Sequence, residues 1–291
     1  MFSPDGKGWG EGGESSFVLS YQGSSFENIH SACRFLIEIC FSPCLLDVLS
    51  GNHDWYGNVS AQIAYSAHSK RWNYPDYWYS VKETYQGKDG ADYTFELLMI
   101  DTVIGVGQVD DHDDPHGKIS GKNQVVSEDV QAEQTAWLSA TLAASTADVL
   151  WVAGHYPVWS ACSHGPTAQL VSDLLPLLET YGAHYMSGHD HCEEWISDNG
   201  IEYILTGNGD NCCYDATEVD AIPENSLKFI TANNMNSTKG MTGGFASFKI
   251  DEAGTVVTFH DQNGSELFTT PTIAPRSAAK KDAALKQRTA A

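Results

Sequence analysis

The chain has 291 residues, 42% of them hydrophobic, which is enough to bury one sizeable core, and α/β folds of this length commonly form a single domain. A formal charge of -22 at pH 7 would repel a phosphate backbone, which argues against nucleic-acid binding and for a small ligand or substrate. No run of about 18 apolar residues occurs, so no membrane insertion is expected, and the opening MFSPDGKGWGEGGESS lacks the basic-then-apolar pattern of a signal peptide.

Along the chain, short apolar runs closed by glycine or polar residues recur at DVLSGNHD (47–54), FELLMIDT (95–102), VLWVAGHYP (149–157), HYMSGHDH (184–191) and YILTGNG (203–209). Their length and their content of Leu, Val and Ile predict buried strands. Between them, residues 128–145 and 168–182 have helical patterns, the second with Leu170, Val171, Leu174, Leu175, Leu177 and Leu178 on one apolar face. Alternating strands and helices imply a layered α/β fold. The polar loop 109–118, VDDHDDPHGK, lacks the glycine and terminal glutamate of a calcium loop and reads as a solvated surface. GFASFKI and TVVTFHD alternate in polarity, and Asn263-Gly264 after them is a hairpin signal, so antiparallel strands should close the core. The basic segment after Pro271 has few large apolar groups and is expected to form a disordered tail, 271–291. The seven cysteines lack zinc-ribbon spacing and imply buried thiols or one or two disulfides. Asn58, Asn236 and Asn263 begin glycosylation triplets, which would count if the chain is secreted.

Three of the strand runs end in glycine followed by a residue able to bind metal: Gly51-Asn52-His53-Asp54, Gly154-His155 and Gly188-His189-Asp190-His191. Ligands gather beyond the carboxyl ends of strands in open α/β sheets, so these ends can converge. If residues 189–191 are extended, His189 and His191 share a face, serving one ion or two, and Asp190 turns away. Asn52 offers a neutral carbonyl oxygen for a mixed oxygen and nitrogen shell. His53, on the other side of the backbone, is better placed to contact a substrate than to act as a companion ligand.

Together GNHDWYGNVSAQIAYS, KRWNYPDYWY, AGHYPVWS followed by HGPT, GHDH and GGFASFKI resemble the tartrate-resistant, purple acid phosphatases, a branch of the calcineurin-like metallophosphoesterases. The resemblance spans about residues 45–270, taken as the phosphoesterase domain. It implies a four-layer αββα sandwich of two mixed sheets with a two-metal centre, Fe(III) plus Fe(II), Zn or Mn, at the strand ends. It also implies that Asn52, His155 and His189 ligate the divalent metal and His191 the ferric ion. His53 and His164 would contact the phosphate and help protonate the leaving group. The implied reaction is phosphate monoester hydrolysis by a metal-bound hydroxide, with paired cations offsetting the developing charge. The family habit implies a secreted or lysosomal/vacuolar location.

Two motifs of the family, GDWGG and GDNFY, are not intact. In SSFVLSYQGSSFENIHS (15–31), FVLS takes the place of the strand before the second motif. Ser24 then stands where its bridging aspartate belongs, Ser25 at the neighbouring asparagine and Glu27 near the tyrosine. Asp5 is too close upstream to supply the first motif. Residues 1–44 therefore read as an altered remnant with the first βα unit missing, and the ferric site as depleted, because carboxylates and a phenolate would offset the cations' charge. Such a chain is expected to bind a metal pair poorly. A catalytically inactive phosphate- or protein-binding module that keeps the fold is the alternative, and a phosphodiesterase of the wider superfamily is a third reading.

Overall fold

The computed structural model describes residues 15–21, 35–39, 45–107, 126–209, 211–235 and 238–277. The first strands are β1 (Ser15–Tyr21), β2 (Phe35–Ile39) and β3 (Leu45–Asp47), followed by helices α1 (Asn52–Trp55) and α2 (Val59–Tyr65). Next come β4 (Trp72–Asn73), β5 (Tyr79–Gln86), β6 (Asp92–Met99), α3 (Thr102–Val106), α4 (Glu128–Ala144) and β7 (Val149–Ala153). Then follow α5 (Ala168–Asp173), α6 (Leu175–Tyr181), β8 (His184–Ser187), β9 (Glu193–Asp198), β10 (Ile201–Thr206) and β11 (Leu227–Thr231). The closing strands are β12 (Gly244–Asp251), β13 (Gly254–Asp261) and β14 (Glu266–Thr269).

These strands form two seven-stranded sheets, ordered β14-β13-β12-β1-β2-β3-β4 and β11-β9-β10-β8-β7-β6-β5. Both are mixed: β3 and β4 are parallel in the first, and β6, β7, β8 and β10 run parallel in the second between antiparallel edges. The mixed-sheet α/β class expected from the sequence is what forms. In the first sheet β1 pairs antiparallel with both β2 and β12.

Side chains on β6 and β7 alternate between two apolar environments. Phe95, Leu97, Met99, Trp151 and Ala153 meet Phe248, Ile250, Val257 and Phe259 of the first sheet. Leu98, Ile100, Leu150 and Val152 face the other way, onto Leu138 and Leu142 of α4, Leu170 of α5 and Leu178 of α6. A strand buried on both faces has no polar positions to alternate with, so these runs read as unbroken apolar stretches.

Two expectations need correction. The helix predicted over 168–182 is broken at Leu174. Pro176 cannot donate to the carbonyl of residue 172 and would crowd it, whereas near the start of a new helix its missing N–H costs nothing. Leu170, Leu174 and Leu178 all remain buried. The disordered tail expected from residue 271 does not begin there. Thr255 and Ile273 exchange backbone hydrogen bonds of 2.9 and 2.8 Å, and the Arg276 N–H donates to the Asp148 carbonyl at 2.7 Å. The Arg276 guanidinium also donates through Nη2 to the Ser145 carbonyl at 3.0 Å. Residues 271–277 thus belong to the folded body, and 278–291 lie outside the described residues. So do the polar loop 109–118 and the positions of Asp5, Ser24, Ser25 and Glu27.

Ending the chain at Thr270 should therefore lower its stability by about 2 kcal/mol, the burial of one Ile side chain, or more. Ending it at Ser277 should keep that contribution, so the midpoint of urea unfolding should be higher than for the chain ended at Thr270. Equal midpoints for the two would show that the 271–277 segment contributes nothing.

Candidate metal centre

The loop after β3 is held in place by the end of β6. Ser50 Oγ donates to Asp101 Oδ2 at 2.5 Å and Trp55 Nε1 donates to the same oxygen at 2.9 Å. Asp101 Oδ1 meanwhile accepts the N–H groups of Val103 and Ile104, capping α3. Burial raises the Asp101 carboxyl to about 6, opposed by these donors. Tyr74 donates its hydroxyl to Ser50 at 2.9 Å. The loop so fixed lies directly on an imidazole. A Cβ at Gly51 would stand 2.8 Å from Cε1 and Nδ1 of His155, so only glycine permits the approach.

Three of the predicted ligands meet there. Asn52 Oδ1 lies 2.7 Å from His155 Nε2, and His155 Nε2 lies 3.2 Å from His189 Nδ1. Their residues are 1%, 0% and 4% exposed. Zinc-type bonds of about 2.0–2.2 Å to nitrogen and oxygen place neighbouring ligand atoms about 3 Å apart, which is the spacing seen. Two imidazoles and one amide oxygen make a borderline donor set that suits a divalent transition ion. His189 has a φ of 70°, a left-handed conformation that costs a non-glycine residue about 1 kcal/mol or more and recurs at functional sites. That backbone brings the His189 ring to 5.0 Å from His155 and 4.3 Å from His164, centroid to centroid.

The same left-handed residue corrects the expectation for Asp190. The segment is not extended, so Asp190 does not turn away from the cluster. Its Oδ1 accepts the His164 backbone N–H at 3.0 Å and lies 2.7 Å from His164 Nδ1. Its Oδ2 accepts from Ser160 Oγ at 2.5 Å. Burial alone would raise the Asp190 carboxyl, but the hydrogen bond and charge of His164, with His189 and Ser160, hold it below its ordinary value. Behind Ser160 lies Glu194, whose carboxylate oxygens accept the N–H groups of Ala161 at 3.0 Å and Cys162 at 3.1 Å. Burial, and next the charge of Asp190, push Glu194 up to about 8. A disulfide between Cys162 and Cys192 joins the two loops. With their sulfurs bonded to each other, these cysteines and Glu194, though clustered, do not form a thiolate metal set.

The other two candidates lie near this group. His191 stacks on Tyr214 with ring centroids 4.4 Å apart and planes 10° from parallel, and Tyr214 is 5.5 Å from His164. His53, on α1, packs against Tyr56 at 5.0 Å. The structure thus brings Asn52, His155, His189 and His164 together, with His191 adjoining through Tyr214. Reading the sequence missed Tyr214, Ser160, Glu194 and Asp101. No fixed spacing marks them, although Ser160 and Glu194 stand within four residues of His164 and His191.

A family model described as calcineurin-like phosphoesterase matches residues 25–208. The chain belongs to that family. It is 39% identical over 227 residues to tartrate-resistant acid phosphatase type 5 of Homo sapiens and 37% identical over 225 residues to that of Mus musculus. Each match covers 77% of this chain and 65% of the relative, so the chain spans about two-thirds of the length of these relatives. Purple acid phosphatase 7 of Arabidopsis thaliana is 29% identical over 160 residues, 55% of this chain and 46% of the relative. A solved structure described as GAP50, the anchor in the inner membrane complex of Plasmodium, superposes with a TM-score of 0.63 at 21% identity, over 83% of this chain and 70% of that one. It is a likeness of fold. Among the described residues, no helix is long and apolar enough to cross a membrane.

Glu194 carries a stability consequence. Its folded value of about 8 exceeds the ordinary carboxyl value of 4.5, so folding favours the protonated acid. That contribution is complete below pH 4.5 and is lost as pH rises through about 8. Thermal unfolding of the metal-free protein, followed by circular dichroism, should show the midpoint falling across this window. Glu194→Gln, which does not ionise, should flatten that fall, and an unchanged slope in the variant would refute the assignment.

Proposed function

We propose that the chain is a metal-dependent phosphomonoester hydrolase of the acid phosphatase type. The observation that carries this reading is the meeting of Asn52, His155 and His189 at ligand spacing beside the His164–Asp190 pair. Similarity to the acid phosphatases of Homo sapiens and Mus musculus supports it. When bound, a metal centre supplies a nucleophile at acid pH and positive charge toward the phosphate oxygens. The chain's own residues would do the rest. Asn52, His155 and His189 hold the divalent ion, and His191 contributes to a ferric site whose remaining ligands the sequence does not carry in the family pattern. Fe(III) plus Fe(II), Zn or Mn is the pair this centre would take, with the ferric position poorly filled.

His164, oriented through Nδ1 by Asp190, would hold a proton for the departing oxygen. His53 would contact the phosphate from α1. The substrate class is a phosphate monoester, and the compartment is a secreted or lysosomal/vacuolar one. The substitution of Ser24 and Ser25 for the family's Asp and Asn favours a second reading, a phosphate-binding module of the same fold that does not turn over.

Aryl phosphate hydrolysis at acid pH, with iron plus zinc or manganese added, separates the two. Turnover is expected, with fewer than two ions retained per chain by metal analysis. His155→Ala should cost about 10²-fold or more in kcat, because a lost cation removes several kcal/mol of charge stabilisation. Phosphate binding without turnover would establish the module instead, and two firmly held ions with a purple absorption band would overturn the depleted ferric site.

A further inference from the structure

Glu194 lies on β9, fully buried at 0% exposure, at a position that looks suited to an apolar side chain. Ile196, two residues on, faces the same helical layer and belongs to its core. A buried carboxyl group is costly unless donors meet it, and here two backbone N–H groups do. Oε2 accepts from Ala161 N–H at 3.0 Å, and Oε1 accepts from Cys162 N–H at 3.1 Å and lies 3.1 Å from Ser160 Oγ. A serine hydroxyl has one proton to give. The 2.5 Å contact with Asp190 Oδ2 is the shorter one, so that proton goes to Asp190. Asp190 in turn directs Oδ1 to both the backbone N–H and Nδ1 of His164.

We propose that Glu194 is a positioning residue for His164, acting through Ser160 and Asp190, in the phosphomonoester hydrolysis assigned above. This rests on that reading of His164. β9 is paired on both sides, to β10 and β11, so its backbone is a fixed platform. Glu194 registers the 160–162 turn against this platform, Ser160 then fixes the rotation of the Asp190 carboxylate, and that carboxylate sets the imidazole plane. A catalytic group gains most when its neighbours lock its geometry, and a misplacement of about 1 Å can cost about 10²-fold in rate. The Cys162–Cys192 disulfide holds the same turn from its other end, so losing Glu194 should loosen the relay without releasing the loop.

Three variants test this. Glu194→Met keeps the buried volume but removes every acceptor, and Ser160→Ala removes only the middle hydroxyl. Glu194→Gln can still accept from Ala161 while its amide donates to Ser160 Oγ, and the Cys162 N–H, which loses Oε1, keeps Ser160 Oγ at 3.0 Å as its acceptor. The first measurement uses the metal-free protein and needs no turnover. The proton between His164 Nδ1 and Asp190 should give a downfield NMR line in the parent and in Glu194→Gln, and that line should be lost in Glu194→Met and Ser160→Ala. The second uses the loaded enzyme and compares phosphate esters with good and poor leaving groups. A misplaced proton donor should slow Glu194→Met and Ser160→Ala by about tenfold more on the poor leaving group than on the good one, with Glu194→Gln restoring the parent ratio.

A downfield line and parent leaving-group ratio in Glu194→Met or Ser160→Ala would overturn the proposal. If Glu194→Met does not fold, Ser160→Ala alone decides. If the parent fails to turn over, the phosphatase reading falls, while the NMR line still decides whether Glu194 positions His164.

Discussion

The site depends on how closely backbone can approach backbone and ring at the strand ends. A side chain at Gly51 would run into the His155 imidazole, one at Gly154 into the Tyr185 hydroxyl and Thr102, and one at Gly207 into the carbonyl of Asp190. Each of these glycines follows an apolar run. Without Cβ atoms there, the loops carrying Asn52, His155 and the 188–191 turn close to within hydrogen-bonding distance of one another. The two-sided packing of β6 and β7, onto the first sheet and onto α4 to α6, holds those strand ends at fixed height. Ligand spacing is then set by the core rather than by the loops.

This explains what could be read from the sequence. A glycine after a strand, followed by His or Asn, is a local pattern with a local cause, and it singles out Asn52, His155 and His189 as candidates. Strand positions were legible because two-sided burial leaves long apolar runs. The break at Leu174 was written in the sequence as Pro176, but the leucine spacing continues across it and outweighs the proline signal. Residues 271–277 were misjudged because one isoleucine and one arginine among small residues have no period, and their anchoring comes from partners about 20 and 130 residues away, Thr255 and Ser145. Asp190 was misplaced because the period-two rule holds only while φ stays extended, and a single left-handed residue, His189, reverses it.

The buried polar chain behind the Asn52, His155 and His189 cluster is a different kind of object. Glu194, Ser160 and Asp190 come from two segments about 30 residues apart, and nothing in either segment identifies the other. They are tied by the requirement that buried polar groups find partners. Ala161, Cys162 and His164 all have N–H groups in a turn that pairs with no strand among the described residues, and two carboxyl groups from the opposite segment accept all three. The polar chain is therefore as structural as the apolar core: it replaces a sheet ladder where the chain must turn to present His164.

Charge accounting links the proposed metal site to the buried carboxyl groups behind it. A divalent ion bound by Asn52, His155 and His189, as proposed, would meet three uncharged donors and would keep its charge toward an anion even in a protein of net charge -22. Behind it, Asp190 is held ionised and Glu194 is held as the acid until about pH 8. One negative charge is thus buried between residues 160 and 194, against the His164 ring. Were Glu194 ionised as well, two carboxylates would share Ser160 and the low-dielectric turn around it, and repulsion would open the relay that fixes His164. Acid pH removes that repulsion while leaving the Asp190 charge in place. The contact between Asp190 and His164 is therefore most secure while Glu194 is protonated.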